Sequence, residues 1–442
     1  MSSVHPSPGV PVQKVRNVQR TVLSNGMVVL AVENPAADII AARIFIRAGS
    51  RYEAPEKAGL SHLLTAVITK GTERLSSMEI AERVESVGAS MGADSAFDHC
   101  LLSLKTVSSD FLEMLELAGE LLRSPSFPEA EIELERRLTL QGIRSTQEQP
   151  FAIAQQQLRR LMYGEHPYAL PGLGTEATVS QLTQADLRHY HQTFFRPDNI
   201  VISVVGRITP DKAVALVEKV FGDWRSPDAP APSAADLPRL SFPTSPLAPQ
   251  PAISQQDTQQ AIVMLGYLTA PVQHPDYMVL KLLNTYLGNG LSSRLFVELR
   301  EKQGLAYEVS AFYLTRLDLS QFVVYMGTAP ANTAIALEGL RHEVDRLCHT
   351  ALSEDELQSA KNKLLGQYAL GKQTNAQIAQ IYGWYEILGL GIAFDETFQQ
   401  KVAAVDVETA QAVAQRYFTA PYISLVGPET AVSQLTAAAL VE

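Results

Sequence analysis

A chain of 442 residues exceeds what one hydrophobic core organises and suits two or three domains. Its 46% apolar and 19% charged content is that of a globular protein, and a net charge of −11 argues against a nucleic-acid or anionic-membrane surface, since both need basic patches. Two distant cysteines, Cys100 and Cys348, give neither a disulfide framework nor a cysteine metal motif, which fits a reducing, cytoplasmic setting, and no apolar run reaches the length of a membrane span.

The first dozen residues lack the apolar stretch of a secretory signal and read as a loose tail. Thr21–Glu33 reads as a hairpin around Asn25-Gly26, the strongest short hairpin signal. Ile39–Ala48 follows as a buried strand. Helical periodicity marks Gly59–Thr69, Ser76–Val87, Asp110–Arg123, Glu129–Thr146 and Pro150–Met162, with one or two strands in Ala89–Val107. Thr183 caps a helix to Phe194, Asn199–Gly206 is a strand, and Pro210–Phe221 is a helix.

Residues 226–256 hold eight prolines and little apolar periodicity, the composition of an extended interdomain linker. Beyond it come a strand (Gln260–Tyr267), a helix (Asp276–Leu287), a strand (Phe322–Thr328), helices at Thr333–His349, Ser353–Tyr368, Thr374–Leu388 and Val407–Phe418, and a last strand, Tyr422–Val426. Matching element order on both sides of the linker suggests two copies of one unit, although direct identity between the halves is too low to establish the repeat. The expected organisation is a domain over 1–225, the linker, and a second domain over 257–442.

The stretch Ser293–Tyr307 turns a corner. Leu295, Phe296 and Leu299 sit at helical spacing, Gly304 reads as the residue after the helix, and the chain runs extended through Leu305–Ala311. Arg300 and Tyr307 are thereby left on either side of one tight turn. Two readings stand: donors converging on an oxyanion or peptide carbonyl, or a helix-capping arginine and a half-buried core tyrosine.

The stretch AGLSHLLTAVITKGT (58–72) resembles the active-site helix of the pitrilysin/insulinase metallopeptidases, the group that includes mitochondrial processing peptidase. Their signature there is H-x-x-E-H, two zinc-binding histidines with a glutamate acting on the metal-bound water. Only His62 matches; Thr65 stands at the glutamate and Ala66 at the second histidine. ELERRLTLQG (133–142) is similar to the helix carrying the third ligand, with Glu135 at the outer glutamate and Gly142 at the ligand position. Gly92-Ala93 replaces the Asn-Ala pair that contacts substrate in active members. The resemblance extends over nearly the whole chain, through HPYALPGLGT (166–175), FFRPDNIVISVVG (194–206), LGNGLSSR (287–294) and LREKQGLAY (299–307).

This resemblance implies a mixed α+β fold: two homologous domains, each a mostly antiparallel sheet packed with helices, closing as a clamshell around a chamber. It also implies that Arg300 and Tyr307 match the pair that the family's C-terminal domain contributes to hold the substrate carbonyl and the oxyanion. Zinc chemistry lost and substrate donors kept is the pattern of a non-catalytic subunit. The expectation is therefore a heterodimer in which Arg300 and Tyr307 act on a peptide at the site of a homologous chain with intact H-x-x-E-H, with zinc in that partner and none here. A structural subunit and a peptide-binding protein without hydrolysis are the alternatives. Gly288–Ser293 reads as a helix–helix turn and also resembles a short form of the glycine-rich loop in the non-catalytic subunit of the mitochondrial enzyme.

Overall fold

The computed structural model describes residues 17–228, 231–232, 237–242 and 250–438. The expected tail lies outside the described residues, as do 229–230, 233–236 and 243–249 of the Pro-rich stretch. The first sheet contains β1 (Gln19–Val22), β2 (Val28–Glu33), β3 (Ile39–Ile46), β4 (Ser90–Ser95), β5 (Cys100–Val107) and β6 (Ile200–Gly206). Its order is β1-β2-β6-β3-β5-β4, with only β2 and β6 parallel. The hairpin forms as its sequence requires: Val22 pairs with Val28, and Gly26 takes the left-handed turn conformation at φ 89°.

The second sheet contains β7 (Ala252–Gln255), β8 (Ala261–Thr269), β9 (Ala306–Leu314), β10 (Ser320–Thr328) and β11 (Tyr422–Gly427), in the order β7-β11-β8-β10-β9. Here β7 and β11 are the one parallel pair. The end of the Pro-rich stretch is thus not linker: Ala252–Gln255 carry no proline, keep their amides free and complete the sheet edge. With β1 set aside, both sheets read first-fifth-second-fourth-third in chain order, so the repeat is present in the topology.

The helices of the first half are α1 (Leu60–Val67), α2 (Ser77–Ser86), α3 (Phe111–Arg123), α4 (Glu129–Gln147), α5 (Pro150–Tyr163), α6 (Glu176–Val179), α7 (Gln184–Phe194) and α8 (Pro210–Phe221). Those of the second are α9 (Tyr277–Gly288), α10 (Thr333–His349), α11 (Glu354–Leu370), α12 (Asn375–Ile387), α13 (Phe394–Ala404), α14 (Val407–Tyr417) and α15 (Glu429–Ala438). Local chemistry sets their starts. Ser76, Thr183 and Ser353 each accept from the third residue onward, whose Glu or Asp reaches back to the cap amide.

Alternate residues of β2 serve two cores, which explains its unbroken apolar run: Val29 and Ala31 pack with α1, α3, α7 and α8, while Val28, Leu30 and Val32 face the second half. That second face is covered by α12, which lies across β3 and β6. In return α5 lies across β8 and β11, with Leu158 and Met162 against Met264, Leu268 and Val323. Each domain therefore lends one helix to the other's sheet. Gly383 of α12 makes the approach possible, since a Cβ there would sit 2.3 Å from the Phe45 ring of β3. Arg20–Glu386 at 2.8 Å and Asn34–Asn375 at 2.7 Å tie the same seam. Among the described residues no helix is long and apolar enough to cross a membrane.

Candidate functional site

The helix α1 is entered through a left-handed residue, Gly59, at φ 94°. A side chain there would collide with the Leu173 carbonyl at 2.6 Å, so glycine is required. The free amides of the first turn go to a buried carboxylate: Glu53 accepts from Gly59 N–H at 2.8 Å and Ser61 N–H at 2.7 Å. Burial nevertheless pushes the Glu53 carboxyl up to about 7, against the pull of these donors. Leu60, Leu63, Leu64 and Val67 form the buried face of the helix.

On this helix the three motif positions have different fates. His62 is half-buried, and burial holds its imidazole below the usual histidine range while Glu135 pulls it upward. Thr65 is buried, and its hydroxyl donates to the Ser61 and His62 carbonyls, both at 3.0 Å. That hydroxyl is turned back onto the carbonyls of its own helix. Ala66 offers only a methyl group.

The helix α4 packs against α1 and brings Glu135 to His62. Glu135 is ion-paired with Lys70 at 3.1 Å. Gly142 lies two turns further along; a Cβ there would meet nothing closer than Leu173 at 3.9 Å. There is room for a Cβ at this position, but glycine offers no ligand atom. Among the described residues no three His, Cys, Asp or Glu side chains converge as a metal site. One imidazole, with a carboxylate already paired to lysine, does not meet zinc's need for at least three protein ligands, so the residues of this site do not fit the metal.

The opposite corner is built differently. The end of α9 presses on β9: a Cβ on Gly288 would lie 1.9 Å from the Ala311 amide nitrogen, and the Ser310 hydroxyl bonds to the Gly288 carbonyl. The glycine-rich segment is a turn between helices, with Gly290 at φ 85°. The chain then forms a π-helix over Phe296–Lys302, where an α-helical turn is expected from the sequence. Seven residues cannot distinguish the two periods, because Leu295 and Leu299 are buried by either. Gly304, at φ 65°, ends it, with its own N–H on Arg300 O and the Leu305 N–H on Leu299 O.

Arg300 is exposed and lies over the Phe296 ring at 4.9 Å. It caps no helix carbonyl, and among the described residues its guanidinium has no hydrogen bond or ion pair. Tyr307 is 58% exposed, not a half-buried core residue. The register explains why. Glu308 pairs with Gly327 but Ala306 with Thr328, so Tyr307 is the extra residue of a β-bulge, a device that re-aims a side chain. No hydrogen bond, ion pair or ring contact among the described residues joins either side chain to α1 or α4. Sequence reasoning found both residues but neither the bulge, the π-helix, the Phe296 stack, Glu53 nor Lys70, since each depends on a partner distant in sequence or on backbone geometry.

Comparison with known proteins supplies the context. Residues 28–176 match the family model described as Insulinase (Peptidase family M16), and residues 181–364 match that described as Peptidase M16 inactive domain. An uncharacterized zinc protease, YmxG, of Bacillus subtilis is 29% identical over 93% of this chain and 98% of its own. Another from Streptomyces coelicolor is 28% identical over 94% of this chain and 90% of its own. Among solved structures, the peptidase M16 inactive domain from Pseudomonas fluorescens superposes with a TM-score of 0.85 at 25% identity, covering 93% of this chain and 98% of that one. A protease from Helicobacter pylori has the same fold, with a TM-score of 0.86 at 24% identity over 93% and 100% of the two chains.

Proposed function

The chain belongs to the insulinase (peptidase M16) family, and from that premise we propose that it is the subunit of a two-chain zinc peptidase that holds substrate without holding the metal. The observation that carries this reading is the contrast between two corners of one fold. At α1 and α4 the ligand positions are Thr65, Ala66 and Gly142, and the remaining carboxylate, Glu135, is paired with Lys70. At the π-helix and β9, Arg300 and Tyr307 stand exposed with no hydrogen bond from their side chains among the described residues, one in a π-helix and the other on a bulge. Both backbone features are uncommon and concentrate at functional sites. A chain that served only as scaffold would have no use for two exposed donors on such irregular backbone.

In this reading Arg300 and Tyr307 reach a peptide bound at the zinc site of a homologous partner with intact H-x-x-E-H. The Tyr307 hydroxyl and the Arg300 guanidinium donate to the scissile carbonyl oxygen as negative charge develops on it. Burial of both Cys100 and Cys348 as free thiols supports a reducing, cytoplasmic location. The test is to purify the chain alone and together with such a partner. The pair should hydrolyse peptides with one zinc per heterodimer, and each chain alone should be inert. Stoichiometric zinc in the isolated chain, lost on His62→Ala, would overturn the assignment.

A further inference from the structure

A cluster of arginines sits at the junction of the two domains. The guanidinium of Arg51 bonds to Asp98 at 3.1 Å and lies 5.3 Å from the Tyr168 ring, while Asp98 also accepts from the Tyr168 hydroxyl at 2.5 Å. Arg316, from the β9–β10 loop, stacks on Phe97 at 4.2 Å and on Tyr168 at 5.4 Å. Arg159, on α5, lies 5.6 Å from the same Phe97 ring. The carboxylates run out before the cations do. Asp98 is committed to Arg51, and Asp318 accepts the Leu240 and Leu319 amides. Arg159 has no hydrogen bond or ion pair among the described residues, and its Nε is buried without a partner. Burial and the neighbouring Arg316 pull its guanidinium down to about 10, the mark of a cation lacking its counter-charge.

Arg159 also lines a cleft of about 220 Å³ between α4, α5 and the 171–175 loop. Besides Arg159, its polar walls are Thr146, Gln147, Gln155, Gln156, Arg160 and Thr175, and no Asp or Glu lines it, although the chain carries a net charge of −11. The cleft abuts the vestigial ligand position: Ile143 and Leu173 are in its wall, and Leu173 is the nearest neighbour of Gly142.

We propose that this cleft is a carboxylate-binding subsite, in which the Arg159 fork, with Arg160 and the glutamine amides around it, takes an acidic side chain or the C-terminal carboxylate of a bound peptide. A planar guanidinium with free donors matches a carboxylate bidentately, and the aromatic stack holds it in place before the ligand arrives. The proposal rests on the peptide-holding reading above but does not need the partner or the chemistry.

The test is binding of fluorescein-labelled decapeptides to the isolated full-length chain by anisotropy. Two matched pairs are used: internal Glu against Gln, and free C-terminal acid against amide. The acidic member of one pair should bind at least tenfold tighter, and the pair that responds identifies the source of the carboxylate. Arg159→Met should abolish that preference while leaving the thermal midpoint unchanged or raised, because it removes a half-buried cation with no counter-charge among the described residues and keeps the packed stem. Gln156→Glu supplies an internal counter-charge one turn from Arg159 and four residues before Arg160, so it should also abolish the preference and stabilise the fold. No preference in the wild-type chain, or a preference that survives either substitution, would overturn the proposal. Tyr307→Phe should leave the preference intact, so failure of catalysis in trans and failure of this subsite give different results.

Discussion

Glu53 shows how a single buried group ties the helix α1 to the solution conditions. Its carboxylate closes the first turn of α1, yet burial raises it from 4.5 to about 7. The folded state therefore binds a proton that the unfolded chain has already released between those values. The stability this contributes is fully present below pH 4.5, falls as pH rises, and is gone above about pH 7, a swing of about 3 kcal/mol. His99 and His191, both pushed down to about 4 by burial, act in the opposite sense and cancel when wild type is compared with a variant. Urea midpoints of the wild-type chain minus those of Glu53→Gln should decline from pH 4.5 to 7; a flat difference would mean that the two amides keep the carboxylate ionised. Sequence reading reached His62, Thr65, Ala66, Gly142, Arg300 and Tyr307 because a motif spaces them. It could not reach Glu53, Lys70 or Phe296, whose roles are set by what folds against them.

At the scale of elements, local signals placed most helices and strands well, because capping residues, Asn25-Gly26 and apolar periodicity act over a few residues. The sequence reading passes over α13, although Phe394, Phe398 and Val402 repeat every four residues and are buried. The π-helix and the β9 bulge were beyond it, since the first depends on a small change of period and the second on the register of β10. Gly383 makes the exchange of helices testable. It stands on the face of α12 that meets β3, and a methyl group there would strike the fully buried Phe45 ring. Gly383→Ala should cost about 1–3 kcal/mol through overpacking, read from the urea midpoint. Gly366→Ala on α11, where nothing lies within 4 Å, should instead gain up to about 1 kcal/mol from helix propensity. Equal effects of the two changes would mean that α12 does not press on the first sheet as described.

On the scale of the whole molecule, the halves repeat one strand order and exchange α5 and α12 across their sheets. Long-range exchange of this kind leaves no local trace in the sequence, which is why the repeat is legible as element order but not the packing that joins the copies. Through that exchange α5 and α12 pack the two halves of the proposed function against each other. The most direct measurement is kcat of the reconstituted two-chain peptidase carrying Tyr307→Phe, a change that removes one donor and keeps the ring. A loss of about 10²-fold, with zinc content and complex formation unchanged, is the predicted result. A kcat equal to that of the wild-type complex would contradict the account and leave Tyr307 an exposed residue of a structural subunit.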